Sequence, residues 1–235
     1  MHAPTGVRAA AVDELGVYYE GDRPDLRALV PPEARRILDV GCGAGSVGAA
    51  LRRDLGAWVA GVELFAQAVE LARPRLDELI VADLDTVTEL PADLDAAIFG
   101  DVLEHLRDPV RLLRVTAEHL APDGVVIVSV PNVKHWSVLL PLLLEDRFAY
   151  GDSGLLDRTH VHLFTLEELG RALDEAGLEP LTVANHRIPL PPGAGPLVDA
   201  ATRLGAEPGE TRARLEAYQY LVTARPAARR GPPKL

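Results

Sequence analysis

The chain carries a single cysteine, Cys42, so no internal disulfide can form. Lysine is almost missing as well, at Lys134 and Lys234 only, and acids outnumber bases to a formal net charge of −11. An acidic chain without a basic stripe is a poor partner for nucleic acid, whose binding depends on neutralising phosphates. No apolar run approaches the roughly eighteen residues that a membrane-spanning helix needs. The first residues, MHAPTGVRAAAVDELG, hold acids where a signal peptide would need an apolar stretch. Together with the lone cysteine, this points to a reducing cytoplasm.

What is present is enough for a large core. The chain has 235 residues, 48% of them hydrophobic. From Arg36 onward, short apolar runs alternate with amphipathic stretches. RILDV, AWVAGVE, ELIVAD, DAAIFGD and VVIVSVP read as strands, with PLTVANHRI and AYQYLVTA as two late ones. SVGAALRRDLG reads as a helix closed by Gly56, and FAQAVELARP as one stopped by Pro74. DPVRLLRVTAEHLAPDG has Asp108 as cap, Pro109 at its first position and a Pro-Asp-Gly stop. TLEELGRALDEAG carries a Thr165/Glu168 capping box and ends at Gly177. Strands in alternation with helices imply a mostly parallel α/β sheet covered on both faces.

One segment breaks this rhythm. About thirty residues, 132–164, separate the fifth strand from the helix at Thr165. A structureless loop of that length is unusual in a compact domain. VKHWSVLLPLLLED reads as an apolar helix interrupted near Pro141, placed where open α/β sheets bind ligands. The stretch 187–196, RIPLPPGAGP, reads as a turn-rich connector, and the basic tail 226–235 as solvated.

The most informative stretch is ILDVGCGAG, residues 37–45, at the end of the first strand. Glycines at 41, 43 and 45 let the backbone turn sharply and approach a ligand, and the helix that follows offers unpaired N–H groups. A dinucleotide fingerprint would place glycine at 46, where Ser46 stands. Glu63 closes the second strand, eighteen residues after Gly45, where a carboxylate can accept from the ribose hydroxyls of an adenosine. Cys42 reads as a small buried thiol, since no histidine is arranged to activate it.

The Asp39-headed G-x-G-x-G loop, Glu63, Asp83 in VADLD and the segment FGDVLEHLRDP (99–109) follow one another in order, and this series resembles the class I S-adenosylmethionine-dependent methyltransferases. Through DRTHVHLFTLEELGRALDEAGL the similarity leans towards ubiquinone-pathway and sugar O-methyltransferases, over roughly residues 17–185. The resemblance implies a Rossmann-like methyltransferase fold: a seven-stranded, mostly parallel sheet with a lid insertion, 132–164, after the fifth strand. It implies an N-terminal helical segment, 1–34, closing over the cofactor and a methyltransferase domain over 35–225. It also implies cofactor contacts at Tyr19, Asp39, Gly41, Cys42, Gly43, Glu63, Leu64, Asp83, Leu84 and Asp101, with Asp83 accepting from the adenine amino group. Tyr18, Tyr19 and Arg23 would close over the methionine end, or else belong to a packed helix with a surface arginine.

Methyl transfer to oxygen needs a proton removed, and histidine is the natural base near neutral pH. His105, His135, His160 and His162 all follow the ends of the fourth or fifth strand. His160 is the expected general base, oriented by Asp157, with His105 as second base or positioning group and His162 packed beside Phe164. Asp101, Glu104 and His105 also resemble the E-x-x-E-H metal site of the ubiquinone-pathway enzymes, which would hold Mg²⁺, but V-L-E-H-L occurs equally in metal-free methyltransferases. The expected activity is O-methylation of a small molecule, a sugar or secondary metabolite, by a monomer or homodimer with neither nucleic-acid nor membrane partner. An N- or C-methyltransferase, and a non-enzymatic partner protein that keeps the fold, stand as alternatives.

Overall fold

A computed structural model describes residues 21–227. Its strands are β1 (Arg36–Val40), β2 (Trp58–Glu63), β3 (Glu78–Val81), β4 (Leu94–Gly100), β5 (Leu120–Pro131), β6 (Leu178–Arg187) and β7 (Ala217–Pro226). They form one sheet in the order β3-β2-β1-β4-β5-β7-β6. β1 to β5 run parallel, while β7 is antiparallel to both β5 and β6. The helices are α1 (Pro24–Arg27), α2 (Ser46–Leu55), α3 (Ala66–Ala72), α4 (Pro109–Glu118), α5 (Trp136–Glu145), α6 (Leu166–Glu175), α7 (Gly195–Arg203) and α8 (Pro208–Glu216), and a 3-10 turn covers Leu103–His105.

The central strands are apolar at nearly every position because both sheet faces are covered. Successive residues enter opposite layers. Ile37, Val59 and Ile98 pack with Leu26 of α1, Leu51 of α2 and Ala72 of α3. Leu38, Val40 and Phe99 pack with Leu112 and Leu113 of α4 and Leu169 and Leu173 of α6. Each such buried Val, Leu, Ile or Phe side chain contributes about 1.5–3 kcal/mol of hydrophobic free energy.

The expected helix signals act as read. Asp108 accepts from the Arg111 amide at 2.9 Å, and Thr165 from the Glu168 amide at 3.2 Å, caps worth about 1 kcal/mol each. The Thr165 box is one-sided, since the Glu168 carboxylate pairs with Arg171 instead. Gly56 closes α2 in the left-handed conformation at φ 64°.

Three expectations are corrected. α4 stops at Glu118, and β5 already begins at Leu120, so Pro122-Asp123-Gly124 lies within the strand. The pairing with β4 shifts register there, and a Cβ on Gly124 would stand 2.4 Å from the Leu94 carbonyl oxygen, so only glycine fits. α5 runs unbroken through Pro141. α7 and α8 fill the chain between β6 and β7, where the sequence had marked only a connector. Among the described residues, no helix is long and apolar enough to cross a membrane. Tyr18 and Tyr19, most of the segment 1–34 and most of the tail lie outside the described residues.

Candidate active site

From β1 the chain moves outward to β2 and β3, then returns to place β4 on the other side of β1. At such a switch point the connections leave in opposite directions, and a crevice opens at the C-terminal ends of the two strands. β1 delivers the glycine loop to this crevice, and β4 delivers Asp101 to His105.

Gly41, Gly43 and Gly45 adopt φ of 67°, 51° and 77°, values that side chains disfavour. A Cβ on Gly41 would stand 2.8 Å from Val102 Cγ2 and 3.6 Å from Leu84 Cδ1. The loop is therefore a cradle that an added methyl would fill, and it lies directly against the segment leaving β4. Glu63, 6% exposed, fastens it. Its carboxylate accepts from the Gly43 amide at 3.0 Å, the Leu64 amide at 2.7 Å and the Phe65 amide at 2.8 Å. A carboxylate offers about four lone-pair positions, so Oε2, which takes only Gly43, has one left for a ribose hydroxyl. Leu64 and Phe65 are 51% and 62% exposed beside it, apolar surface suited to a purine. Asp83 is exposed, and its Oδ1 accepts from the Asp85 amide at 2.9 Å.

Asp39 and the Cys42 side chain lie beneath the crevice floor. Asp39 Oδ2 is buried without a hydrogen-bond partner among the described residues. Burial pushes its carboxyl up to about 7, and the charge of Glu63 adds to the rise. Cys42 is buried, and burial raises its thiol further out of the reactive range, as expected of a packing residue.

Asp101 adopts φ 57° and Arg23 φ 39°, left-handed conformations uncommon for residues with side chains. The two side chains form an ion pair. Asp101 also accepts from Ser129 Oγ at 2.9 Å and from Gln219 Nε2, and Arg23 continues to Asp25, which receives His186 at 2.9 Å. Ser129 and Gln219 were missed from the sequence because nothing local marks strand residues facing a cluster.

This arrangement does not favour the Mg²⁺ alternative weighed at Asp101, Glu104 and His105, because the Asp101 carboxylate already pairs with Arg23, Ser129 and Gln219. Instead, Glu104, His105 and His160 come together, with candidate donor atoms up to 4.8 Å apart. That is wider than the roughly 3–3.5 Å between neighbouring donors on one ion, and two imidazoles suit Mg²⁺ poorly. Glu104 is 1% exposed, and its Oε2 has no partner among the described residues. Burial, then the charge of Asp101, raises its carboxyl well above the usual range.

The histidines separate. The His105 and His160 rings meet edge to face at 4.8 Å. His160 Nδ1 lies 3.2 Å from the Leu155 carbonyl oxygen, which can only accept. Asp157, expected to orient His160, makes its hydrogen bonds to Thr159 instead, through the amide at 2.8 Å and the hydroxyl at 2.6 Å. His162 is half-buried, with Nε2 3.3 Å from the Arg107 carbonyl and its ring 6.0 Å from Phe164. His135 does not join them. Fully buried, it caps α5 through Ser137, and burial lowers its imidazole to about 4.

A seven-stranded sheet with its last strand reversed, a glycine cradle at the switch point and a carboxylate closing β2 define a protein that handles a nucleoside-bearing cofactor. The chain belongs to the S-adenosylmethionine-dependent methyltransferases: residues 19–183 match the family described as a methyltransferase domain. It is 30% identical over 177 residues to the ubiquinone biosynthesis O-methyltransferase of Neisseria meningitidis serogroup C, covering 72% of this chain and 71% of that one. The corresponding enzyme of Xanthomonas campestris is 35% identical over 114 residues, 46% of this chain and 47% of that one. The chain thus spans about half the length of some relatives and more of others. In fold it is similar to an S-adenosylmethionine-dependent methyltransferase from Mesorhizobium loti, with a TM-score of 0.59 at 23% identity, covering 86% of this chain and 96% of that one. A cyclase is similar as well, at a TM-score of 0.57 and 20% identity, covering 88% and 82%, so the fold alone does not fix the reaction. The methyl donor of the family is S-adenosylmethionine.

Proposed function

We propose that this chain methylates a hydroxyl group of a small molecule, a sugar or a secondary metabolite, in the cytoplasm. The observation that carries the reading is the imidazole pair, His105 and His160, at the turn leaving β4, whose Val102 packs against the glycine cradle. A hydroxyl must lose its proton as its oxygen is methylated, and an imidazole is suited to take it. Bound in the cradle, S-adenosylmethionine supplies an electrophilic methyl group on a good leaving group. The protein's part is to hold the acceptor in line, exclude water and take its proton. Glu63, Asp83, Leu64 and Leu84 hold the adenosine half, while Arg23 and Asp101 border the methionine half. Residues 132–164 serve as a lid, an assignment supported by the exposed Leu142, Leu143, Leu144 and Phe148 and by the return segment, whose Val161 and His162 amides bond to the Glu104 carbonyl at 2.8 and 3.0 Å.

The test is turnover of a panel of hydroxylated acceptors (catechols, flavonoids, sugars) against matched amines, with S-adenosylhomocysteine release as the readout. O-methylated product, formed equally with and without a chelator, is expected. Transfer only to amines overturns the oxygen reading. Tight S-adenosylhomocysteine binding without transfer to any acceptor would favour a non-enzymatic partner protein.

A further inference from the structure

We infer that Asp157 and Thr159 form a relay that makes His105 the general base, and that His160 stands beside it as a positioning group. This rests on the O-methylation reading above and reverses the order of the two histidines expected from sequence.

The argument is one of proton placement. The Asp157 carboxylate can only accept, and it lies 2.6 Å from Thr159 Oγ1, so the threonine hydroxyl hydrogen points at Asp157. Thr159 Oγ1 is then an acceptor towards His105 Nδ1, 3.1 Å away. The Thr159 carbonyl oxygen, 3.4 Å from the same nitrogen, can also only accept. Both neighbours therefore require the hydrogen of neutral His105 on Nδ1, and Nε2 keeps its lone pair. Asp157 is 6% exposed, which shelters the end of the relay from water. At the other end, His105 sits in the turn leaving β4, three residues after Val102, which packs against the Gly41 cradle. His160 Nδ1 meets a neutral carbonyl, at Leu155, and among the described residues no carboxylate hydrogen-bonds to it, although the Asp157 charge reaches both imidazoles.

In the reaction, the acceptor hydroxyl gives its proton to His105 Nε2 while its oxygen forms the new bond to the methyl carbon. The sulfur–methyl bond breaks with both electrons going to sulfur, which neutralises the sulfonium. The imidazolium left on His105 is stabilised through Thr159 by the Asp157 charge, and the proton later passes to water. The titratable groups facing His105 are His160, Asp157, Asp101 and Glu104. Burial and then His160 hold its imidazole below the ordinary range, so it is unprotonated at neutral pH, as a base must be.

The test compares Thr159→Val, which removes the hydroxyl, with Thr159→Ser, which keeps it. Nitrogen-15 NMR of the imidazoles, on the whole protein without acceptor, should find His105 as the Nδ1–H form. In Thr159→Val its titration should move to lower pH, and in Thr159→Ser it should return towards the parent. In turnover, Thr159→Val should lose about tenfold in kcat with unchanged KM for S-adenosylmethionine, its acid limb following the NMR shift, and Thr159→Ser should recover most of the loss. An Nε2–H form of His105 in the parent, or a valine variant with parent titration, overturns the relay whether or not an acceptor is known. A serine variant as impaired as the valine one overturns it too, by making Thr159 a packing residue. If the parent methylates no hydroxyl at all, the O-methylation reading fails instead, while the NMR result still decides the tautomer.

Discussion

The cofactor half and the acceptor half of the crevice are built in different ways. Around the cofactor loop, Glu63 takes three amides from within the loop and the strand end it joins, while Asp39 Oδ2, beneath the loop, is buried without a partner among the described residues. Around the acceptor, the groups come from two distant stretches, 101–107 and 155–162, and one of them, Glu104, keeps a buried oxygen without a partner among the described residues. On the proposed reading, the first half is a preformed receptor. In the second, polar groups are held ready for a proton or a substrate at some expense of stability.

The strongest way to break this contrast is His105→Ala. A lost general base costs about 10²–10⁴ in rate, so kcat should fall by at least a hundredfold while S-adenosylhomocysteine affinity, by calorimetry, stays within about twofold. His160→Ala should lose less, because it removes a ring neighbour and leaves the relay intact. Equal losses for the two would mean that the acceptor half does not distinguish them.

Asp39 sharpens the other side. Its folded-state carboxyl titrates at about 7, above the ordinary 3.8. Below 3.8 both folded and unfolded chains hold the proton, and the group has no effect on stability. Between 3.8 and 7 the folded chain holds more protons than the unfolded one, so stability falls as pH rises, and above 7 the loss is complete. Asp39→Asn removes that dependence. Relative to the parent without cofactor, the variant should gain a few kcal/mol on going from pH 4 to pH 8, read from urea midpoints. Parallel pH profiles for the two proteins would place a charged, compensated Asp39 under the loop.

The halves also differ in how far the sequence revealed them. The cofactor half is local: glycine spacing, a carboxylate at a strand end and capped helices sit within contiguous stretches, so the mostly parallel sheet and the family were legible. The acceptor half depends on how 155–162 folds back onto 101–107, which no local pattern encodes. The sequence therefore put Asp157 under His160, although D-R-T-H already carried a signal, an aspartate two residues before a hydroxyl that it can hold in a tight turn. It also left a metal at Asp101 open as an alternative, because the ion pair to Arg23, across 78 positions, lies beyond any spacing rule. α7 and α8 were missed because proline and glycine dominate their starts and read as connector.

Glu63→Ala should cost S-adenosylhomocysteine binding about 1–3 kcal/mol, since charge-assisted hydrogen bonds are lost and three amides are left without their acceptor. Glu63→Gln separates the two contributions. It keeps one carbonyl oxygen for the loop amides but loses the charge, so its binding should lie between parent and alanine. An alanine variant that binds like the parent would mean that the loop is held without Glu63, and the preformed receptor would have to be sought elsewhere.

The smallest expected effect is His162→Ala, and it tests whether proximity to the site is enough to make a histidine functional. His162 lies two residues from His160, and Val161 between them is 60% exposed, so both imidazoles turn towards the segment leaving β4. Yet among the described residues its Nε2 reaches only the Arg107 carbonyl, at 3.3 Å, and its backbone amide holds Glu104 whatever the side chain is. Losing one half-buried hydrogen bond to a carbonyl costs about 0.5–1.5 kcal/mol. The variant should unfold at a slightly lower urea concentration, with kcat and the pH profile within about twofold of the parent. A drop in kcat comparable to that of His105→Ala, at unchanged stability, would put His162 into the acceptor half and reopen the choice of base.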